Sequence, residues 1–463
     1  MNASIIFKKI FNKADARSSN IIKNIFGSFA VKGVSIVINL ALIPLTIHYL
    51  SSVKYGVWLT ISSTLGAINF FDVGLGHGLR NKLAEAIAKK EMDKARTYVS
   101  TAYVSIALMC LILFAGFFIA NNFLNWNKLL NIPDQIDENI SQIALVVFSM
   151  FSIQFVLQLI NSILLSAQQS YRVGLFSMIS NIIILIGIFI LTKVAKESLY
   201  NIAFIYTITP VLVYATLNVV YFKRSFKDFS PSIKFFKRSA LSDVLHVGIK
   251  FFVIQISLMV LFATSNFLIC NYLDPSYVTP YNIAFRYFSV ITMAFAIIMV
   301  PYWSAYTEAY VKNDYAWIRK TIRQALRIWV AFAIGAIVML AISPYVYKMW
   351  VGEANGSQIP FTLSASMMIY VCLVSFGSVF MMLLNGIGQI KLQMIVNLIG
   401  MLIFFPLSYF LAKTLGLGII GIIWSTIICS AYGYLVAPLE VRSVLHKHRA
   451  EEQEMNKPLT NNG

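Results

Sequence analysis

The chain has 463 residues, of which 58% are hydrophobic and only 12% are charged. A soluble chain of this length would form two or three domains with ordinary charge, so this composition excludes a soluble globular protein. The formal net charge of +18 does not indicate nucleic-acid binding either, because the basic residues lie in short segments between apolar runs rather than on one soluble face.

Apolar runs of about twenty residues recur along the whole chain, and each is long enough to cross roughly 30 Å of hydrocarbon as an α-helix. Membrane-spanning strands are excluded, because the runs are too long for a barrel strand and do not alternate. In chain order, we predict transmembrane helices at 24–48, 55–76, 98–121, 141–167, 174–192, 200–222, 243–270, 281–304, 324–347, 359–384, 392–412 and 418–437.

Lys and Arg residues are concentrated in every second segment between the predicted helices, beginning with the N-terminal one. By the positive-inside rule, this asymmetry places both termini in the cytoplasm. The apolar run after the basic N-terminal segment is too long for a signal peptide, so we expect the first helix to be retained. The predicted organisation is a cytoplasmic segment 1–23, an N-lobe 24–222, a cytoplasmic linker 223–242, a C-lobe 243–437 and a partly disordered cytoplasmic tail 438–463.

The two halves of the sequence resemble each other in one cytoplasmic segment. LAEAIAKKEMDKAR (83–96) and YTEAYVKNDYAWIR (306–319) align without a gap, which pairs Glu85 with Glu308 at an offset of 223. One such match is weak evidence for a repeat, so its value depends on further matches in the same order.

A second match occurs later in each half. LLSAQQSYRV (164–173) and LLNGIGQIKL (383–392) align at an offset of 219, which places Arg172 opposite Lys391. Together, the two matches predict two six-helix halves in parallel orientation, related by a pseudo-symmetry axis along the membrane normal. Symmetry of this kind commonly places a binding site between the halves, so transport is the leading hypothesis.

Basic side chains lie inside predicted helices, where an ionisable group costs roughly 2.5–3.5 kcal/mol on insertion scales. Lys32 lies about 12 Å inside the first helix and Lys250 about 10 Å inside the seventh, while Arg286 enters the eighth from the outer side. Each head group is close enough to an interface to snorkel to water. Alternatively, the three side chains line a water-filled cavity and neutralise a phosphate or pyrophosphate group.

Carboxylates near the predicted helices lie toward their cytoplasmic ends, at Asp72, Asp243 and Glu308. Each is a candidate for gating or for ion coupling. The favoured explanation for each is a pair with a neighbouring basic residue at the membrane interface.

Uncharged polar side chains are frequent within the predicted helices, where they must pair across helices or face water. Gln154, Gln158 and Asn161 follow a 4, 3 spacing that places them on one stripe of the fourth helix. Aromatic residues of the eighth helix would stack on sugar rings if they face a cavity, and otherwise belong to the core and the interfacial belt: Tyr281, Tyr287, Tyr302 and Trp303.

The stretch FFDVGLGHGLRNKLAEA (70–86) contains three glycines at two-residue spacing. It is not a nucleotide-binding loop, because no strand precedes it and no Gly-Lys-Ser/Thr follows. We instead expect Gly74, Gly76 and Gly78 to permit close helix approach where the second helix leaves the bilayer.

An amphipathic segment follows these glycines. Its apolar stripe consists of Leu79, Leu83 and Ile87, and its basic residues are expected to face lipid head groups: Arg80, Lys82, Lys89 and Lys90. Asp72 and Arg80 are candidate gate contacts at this cytoplasmic rim.

Two six-helix halves, with FDVGLGHGLRNKLAEAIAKKEMDKARTYVSTAY at the end of the second predicted helix, make the chain similar to bacterial oligosaccharide flippases. These belong to the multidrug/oligosaccharidyl-lipid/polysaccharide (MOP) exporter superfamily, and the O-antigen flippase and polysaccharide biosynthesis branch looks closest. The most specific part is Asp72-Val-Gly-Leu-Gly, followed by Gly78-Leu-Arg80-Asn81 and then Ala84-Glu85.

This resemblance implies two lobes around a central cavity that opens alternately to either side of the bacterial inner membrane. The implied substrate is an undecaprenyl-pyrophosphate-linked oligosaccharide, such as an O-antigen repeat unit, moved from the cytoplasmic to the periplasmic leaflet. Family flippases use a cationic cavity lined by the first, second, seventh and eighth helices, and Lys32, Lys250 and Arg286 fall on three of these four. The second helix offers no internal cation here.

The lipid bilayer, a polysaccharide polymerase and chain-length proteins are the implied partners, and no nucleic acid is expected. No cofactor is expected, since the four cysteines lie singly and show no metal-binding spacing. Relatives couple transport to sodium or proton gradients, but no carboxylate in this sequence marks a decisive ion site.

Other functions remain as alternatives. A multidrug/cation antiporter of the same superfamily would need a buried carboxylate in a helix of the first half. A membrane-embedded polysaccharide polymerase or ligase would need a large outer loop, whereas the predicted outer loops are short. A scaffold would have no use for basic residues inside the membrane. We therefore expect a transporter and not an enzyme.

Overall fold

The computed structural model of the protein describes residues 16–66, 74–126, 138–273, 277–351 and 359–455, and every regular element in these ranges is helical. The helices of the first half are α1 (Ala16–Gly66), α2 (Leu75–Ala88), α3 (Met92–Asn121), α4 (Ile140–Leu157), α5 (Leu159–Ser166), α6 (Ser170–Val194) and α7 (Leu199–Lys223). Those of the second half are α8 (Arg238–Ala263), α9 (Ser265–Tyr272), α10 (Val278–Val311), α11 (Tyr315–Val351), α12 (Phe361–Ile387), α13 (Lys391–Tyr409), α14 (Ile419–Cys429) and α15 (Ala437–Met455).

Ten helical stretches of the described ranges are long and apolar enough to cross a membrane, and a bent pair, Ile419–Cys429 with Tyr432–His446, raises the number to eleven if it counts as one span. The protein is therefore an all-helical, multi-pass membrane protein, as its composition predicts. The second predicted helix, 55–76, extends into residues outside the described ranges. The predicted break between the first two helices is wrong, because α1 continues through residues 49–54, which contain neither Pro nor Gly.

The chain divides into two compact units, Met1–Ile249 and Lys250–Gly463, and the division falls inside α8. The first unit contains two clusters of buried apolar side chains, one around Trp58 and Ile143 and one around Leu79 and Phe155. The second unit contains a large cluster that includes Phe288 and Met367. Each half of the protein therefore has a hydrophobic interior of its own.

The connecting segment between α7 and α8 (224–237) is attached to the first unit. It forms two 3₁₀ turns, and Phe226 and Phe229 are buried against the first unit's interior. The side chain of Arg96 on α3 lies 4.0 Å above the ring of Phe235, and its Nε donates to the carbonyl of Ser230 at 3.2 Å. This predicted linker is therefore packed against α3.

The structure confirms the first repeat match in atomic detail. The backbone N–H of Lys89 donates to the carbonyl of Glu85 at 3.0 Å, and that of Lys312 donates to the carbonyl of Glu308 at 3.1 Å. In both halves the same lysine also binds the same glutamate through its side chain, with an Nζ–Oε1 distance of 2.6 Å. Both segments thus end a helix in the same way at an offset of 223.

The second repeat match is shifted by one residue from its predicted register. Gln169 N–H donates to the Leu164 carbonyl at 2.8 Å, and Gln389 N–H donates to the Leu384 carbonyl at 3.0 Å, so the turns correspond at an offset of 220. The predicted pairing of Arg172 with Lys391 is therefore wrong. The turn before α13, which begins at Lys391, is also one residue longer than the turn before α6, which begins at Ser170.

Candidate functional site

The three basic residues of the predicted cavity lie on three different helices. Lys32 on α1 is exposed, Lys250 on α8 is half-buried, and Arg286 on α10 is exposed. Lys32 belongs to the first unit, whereas Lys250 and Arg286 belong to the second. None of the three side chains is enclosed in the hydrophobic interior of its own unit. Both a snorkelling side chain and a side chain that lines a cavity must reach water, so this observation agrees with both interpretations. Their assignment as a substrate site remains a prediction.

Two of the predicted gate residues have defined partners. Asp243 is exposed and accepts a 3.4 Å hydrogen bond from the hydroxyl of Tyr98. Glu308 is half-buried and pairs with Lys312 at 2.6 Å, as the interfacial-pair interpretation expects. Asp72 lies outside the described residues.

Arg80 does not face lipid head groups, contrary to the prediction. Its side chain is only 4% exposed, because α2 packs closely on α5 at this point. The hydroxyl of Ser166 donates to the carbonyl of Arg80 at 3.0 Å. Burial lowers the pKa of the Arg80 guanidinium to about 9, so the side chain remains mostly charged at neutral pH. Arg80 therefore belongs to the polar interior of the first unit.

The prediction of close helix approach is confirmed at Gly74 and Gly78. Gly74 has a left-handed backbone with φ of +72°, and a Cβ added there would overlap the carbonyl of Gly248. One helical turn later, a Cβ on Gly78 would overlap the carbonyl of Val244. Conversely, a Cβ on Gly248 would lie 2.8 Å from the carbonyl oxygen of Gly74. The start of α2 therefore contacts the start of α8 backbone to backbone.

The predicted polar stripe lies at a break in the fourth span. Gln158 separates α4 from α5, and the N–H of Asn161 donates to the carbonyl of Gln158 at 2.9 Å instead of continuing the α-helical pattern. This leaves the carbonyl of Leu157 without its helical donor. The side-chain amide of Asn218 on α7 takes that place and donates to it at 2.8 Å.

Asn218 also connects this break to two tyrosines. Its Oδ1 accepts from the hydroxyl of Tyr103 at 2.6 Å, and its Nδ2 also lies 2.7 Å from the carbonyl of Tyr214. The hydroxyl of Tyr214 in turn accepts from Nδ2 of Asn161 at 3.1 Å. Helices α3, α5 and α7 are thus joined by side-chain amides and hydroxyls inside the first unit.

A cavity of about 180 Å³ lies beside the helix break. Its walls combine backbone, apolar side chains and uncharged polar side chains: Gly76, Ile106, Phe155, Gln158, Leu159, Asn161 and Ser162. Within the described part of the chain, the side-chain Oδ1 of Asn161 is buried with no hydrogen-bond partner. That atom has almost no solvent-accessible surface, so it is enclosed by neighbouring atoms rather than open to the cavity.

A second cleft in the first unit is apolar. It has a volume of about 240 Å³ and lies between α3 and α4, lined among others by Cys110, Phe114 and Ile153. Such walls suit hydrocarbon better than a polar group.

Three of the four aromatic residues predicted on the eighth helix belong to the core, in agreement with the second interpretation, and the fourth, Tyr287, is half-buried. Tyr281, Tyr302 and Trp303 are each less than a tenth exposed. The ring of Trp303 packs on Phe251 with a centroid distance of 5.3 Å. The three buried rings therefore offer no open face for sugar stacking in this conformation.

The predicted outer end of the first unit carries an ionic cluster. Lys54 on α1 lies 3.3 Å from the carboxylate of Glu138 and 3.2 Å from that of Glu197. Glu138 also accepts from the backbone N–H groups of Leu199 and Tyr200 at 2.9 and 3.1 Å, which caps the start of α7. Burial alone would lower the pKa of Lys54, but its interactions with Glu197 and Glu138 outweigh this effect and raise the pKa.

Sequence reasoning identified the stripe on the fourth helix but missed its partners. Tyr214 and Asn218 lie four residues apart, on one face of α7. That spacing was a usable signal, because polar residues at i and i+4 in an apolar helix must face a polar partner.

Comparison with solved structures identifies the fold. A MATE transporter in the straight conformation superposes with a TM-score of 0.74 at 16% identity, covering 94% of this chain and 98% of the other. An outward-facing multidrug resistance MATE family transporter of the MOP superfamily gives the same four values. A MOP superfamily transporter from Pyrococcus furiosus, described as having a binding pocket of reverse polarity that suggests a different function, matches with a TM-score of 0.72 at 16% identity, covering 94% and 97%.

No family model matches the sequence, and no curated protein matches it. At 16% identity, the structural similarity establishes that the chain has the fold of MATE and MOP transporters along nearly its whole length.

Proposed function

We propose that this protein is a membrane transporter that works by alternating access and moves a lipid-linked oligosaccharide, held by its pyrophosphate, from the cytoplasmic to the periplasmic leaflet of the bacterial inner membrane. No covalent chemistry is required of such a protein. It needs only two conformations that bind the substrate differently.

The single observation that carries the transport proposal is the fold. Similarity over 94% of the chain to transporters with a TM-score of 0.74 supports the same type of mechanism. A transporter described as straight and one described as bent both match, with TM-scores of 0.74 and 0.71. This supports a fold that accommodates more than one conformation, which alternating access requires.

The proposed anionic substrate is supported by the charges. Lys32, Lys250 and Arg286 lie in apolar helices and are not enclosed in their own units. Phosphate oxygens are preferred partners of such side chains. By contrast, the described carboxylates Asp243 and Glu308 already accept a hydrogen bond or an ion pair.

A multidrug/cation antiporter is the second candidate, because one matching structure is a multidrug resistance transporter. A cationic drug would be repelled by the basic residues named above. The Pyrococcus furiosus transporter, described as having a pocket of reverse polarity, supports the view that pocket charge varies within this fold. The charges therefore favour the lipid-linked anion.

Translocation in proteoliposomes tests the proposal. The purified full chain would be reconstituted with a fluorescent lipid-pyrophosphate-linked glycan, and its accessibility to a quencher outside the vesicles would be followed. We expect Lys32→Ala, Lys250→Ala and Arg286→Ala each to slow translocation about tenfold or more, since a charge-assisted hydrogen bond contributes about 1.5–3 kcal/mol. Lys32→Arg should retain most activity.

Lys94→Ala is the control, because Lys94 is 64% exposed and its ion pair is with Glu91 on the same segment. Full activity of all three alanine variants at normal folded yield would refute the cationic site. Efflux of a cationic drug without any glycan translocation would instead establish the antiporter.

A further inference from the structure

The connecting segment between α7 and α8 (224–237) is strongly basic. Together with the residue on either side of it, it contains one acidic residue, Asp228, and six basic residues: Lys223, Arg224, Lys227, Lys234, Lys237 and Arg238. All six basic side chains are exposed. The ion pairs among the described residues involve other lysines. The described part of the protein therefore offers this charge no partner, and an anionic surface would complement it.

Contacts with α3 place the segment at the edge of the hydrocarbon layer. The backbone N–H of Lys237 donates to the hydroxyl of Thr101 at 3.2 Å, and that of Ser232 donates to the hydroxyl of Ser100 at 3.1 Å. From Thr101 to its end at Asn121, α3 contains no charged residue. At 1.5 Å per residue this part of α3 spans about 30 Å, which is the thickness of the hydrocarbon layer. The segment therefore lies at the depth of the lipid head groups, on the side predicted to be cytoplasmic.

The same side of the molecule holds the segment in a defined shape. Phe226 and Phe229 are buried, and the guanidinium of Arg96 covers the ring of Phe235. Because the segment is already ordered, a ligand that binds to it does not incur the full entropic cost of fixing a flexible loop.

Two apolar side chains are exposed among these charges. Ile233 is 81% exposed and Phe236 is 39% exposed. The N–H of Phe236 donates to the carbonyl of Ile233 at 3.1 Å, so the two residues are one 3₁₀ turn apart and lie on the same side of the segment. A bilayer surface offers an anionic layer with an apolar layer beneath it, and so matches both the basic and the apolar side chains. A soluble anion would satisfy only the basic ones.

We propose that the connecting segment binds anionic phospholipids of the bilayer, with its basic side chains on their phosphate groups and with Ile233 and Phe236 inserted between the head groups. Phosphate oxygens are preferred partners of Lys and Arg, and basic residues near an anionic bilayer are attracted to it. The segment belongs to the first unit, and its binding to lipid does not depend on which substrate the protein moves.

Hydrogen–deuterium exchange of the full chain in lipid nanodiscs tests the proposal, because it reports on the segment itself. One preparation contains phosphatidylcholine alone, and the other contains phosphatidylcholine mixed with phosphatidylglycerol. We expect the amides of residues 224–237 to exchange at least about fivefold more slowly with phosphatidylglycerol, since about 1 kcal/mol for one basic residue at an anionic surface corresponds to that factor. Inorganic phosphate added to the phosphatidylcholine nanodiscs should not slow the exchange.

A double variant tests the role of the charges. Lys234→Gln/Lys237→Gln removes two charges but leaves the backbone bonds to α3 in place, and it should lose most of the slowing. The lower pH at an anionic surface slows exchange in wild type and variant alike, so the difference between the two chains is the measure. Lys193→Gln/Lys196→Gln is the matched control, because both lysines are exposed near the end of α6, and it should behave as the wild type.

Ile233→Ser tests the apolar contact separately. Because this side chain is 81% exposed, its replacement should not disturb the fold, and the variant should retain only part of the slowing. Full slowing in Ile233→Ser would overturn the insertion of this side chain. Equal exchange in the two lipid compositions, equal slowing in wild type and Lys234→Gln/Lys237→Gln, or slowing by inorganic phosphate alone would overturn the lipid site itself.

Discussion

Lys90 and Asn313 occupy equivalent positions in the two halves of the chain, and both have a left-handed backbone, with φ of +59° and +57°. In each half the next residue closes the turn, Glu91 N–H to the Ala86 carbonyl at 2.9 Å and Asp314 N–H to the Ala309 carbonyl at 2.8 Å. The shared turn is thus a property of the backbone, maintained although the side chains differ. A left-handed conformation costs roughly 1–2 kcal/mol for most residues and less for Asn.

Substitution of Lys90 by glycine is therefore expected to stabilise the protein. The strain energy that glycine removes from the folded state exceeds the entropic cost of its greater flexibility in the unfolded chain. We therefore expect Lys90→Gly to increase the free energy of unfolding by about 0.5–1 kcal/mol and to raise the apparent Tm in detergent. Asn313→Gly should change the Tm very little.

Lys94→Gly serves as the control for this comparison. Lys94 lies within the first turn of α3, where glycine should lower stability by up to about 1 kcal/mol. If Lys90→Gly lowers the Tm as much as Lys94→Gly does, the strain argument is wrong.

The contact between α2 and α8 predicts a sharp difference among glycines. An added methyl group at Gly78 would overlap the backbone of Val244, and at Gly74 it would overlap Gly248 as well as strain a positive φ. We expect Gly74→Ala and Gly78→Ala each to destabilise the fold by several kcal/mol, since backbone cannot move aside as a side chain can. The readout is the yield of monodisperse protein and its apparent Tm.

Gly116→Ala on α3 is the matched control. A Cβ at Gly116 meets nothing within 4 Å, so alanine should be neutral or stabilising by up to about 1 kcal/mol. Normal yields for Gly78→Ala would mean that the helices do not approach as closely as the structure shows.

Most features that depend on local sequence were predicted correctly, the break predicted at residues 49–54 being an exception. Hydropathy located ten or eleven of the described spans, because each apolar run must satisfy its own backbone in lipid. Gly74 and Gly78 indicated close helix approach, because a residue without a side chain can be recognised from the sequence alone. The alignment of Glu85 with Glu308 likewise predicted that both halves share a turn, and this turn is determined by residues close to it in the sequence.

Features that depend on contacts between distant segments were not predictable in the same way. Arg80 has the charge of a surface residue, but its side chain is buried where α2 packs on α5. At this contact Ser166, which lies 86 positions later, donates to the backbone carbonyl of Arg80. The attachment of the connecting segment depends on Arg96 meeting Phe235. The break at Gln158 is likewise stabilised by Asn218 from another helix. One sequence without related sequences contains no direct signal for such pairs.

Asn218 is expected to be the most sensitive polar residue of the first unit. Its amide bonds to the hydroxyl of Tyr103 and to the carbonyls of Leu157 and Tyr214. At about 0.5–1.5 kcal/mol for each hydrogen bond, we expect Asn218→Leu to lose roughly 2–4 kcal/mol of stability, measured by thermal or denaturant unfolding in detergent. Tyr103→Phe, which removes one of these bonds, should lose about 1 kcal/mol.

Thr216→Val on the same helix provides the comparison for Asn218. Thr216 is exposed and bonds only to the carbonyl of Leu212 within α7, so its loss should be small. An equal effect of Thr216→Val and Asn218→Leu would show that the network at the helix break contributes nothing specific.

The ionic cluster at Lys54 predicts a pH dependence with a defined sign. Because Glu197 and Glu138 raise the pKa of Lys54 above 10.5, the folded protein holds this proton more tightly than the unfolded chain does. The stabilisation is complete below the unfolded pKa and disappears as the pH rises through the folded pKa. At neutral pH we expect Lys54→Met to lower the free energy of unfolding by about 1–2 kcal/mol. This value lies between those of exposed and of buried ion pairs, because the Lys54 side chain is 18% exposed.

The measurement is the difference in apparent Tm between wild type and Lys54→Met as the pH is raised. The difference should stay constant up to the ordinary lysine pKa of 10.5 and shrink above it. Lys94→Met, whose side chain is 64% exposed, should show little difference at any pH, because solvent screens its pair with Glu91. A difference that grew with pH would have the wrong sign for a raised pKa and would mean that burial of Lys54 outweighs its two carboxylate partners. A difference that did not change with pH would mean that Lys54 acts only through packing of its aliphatic chain.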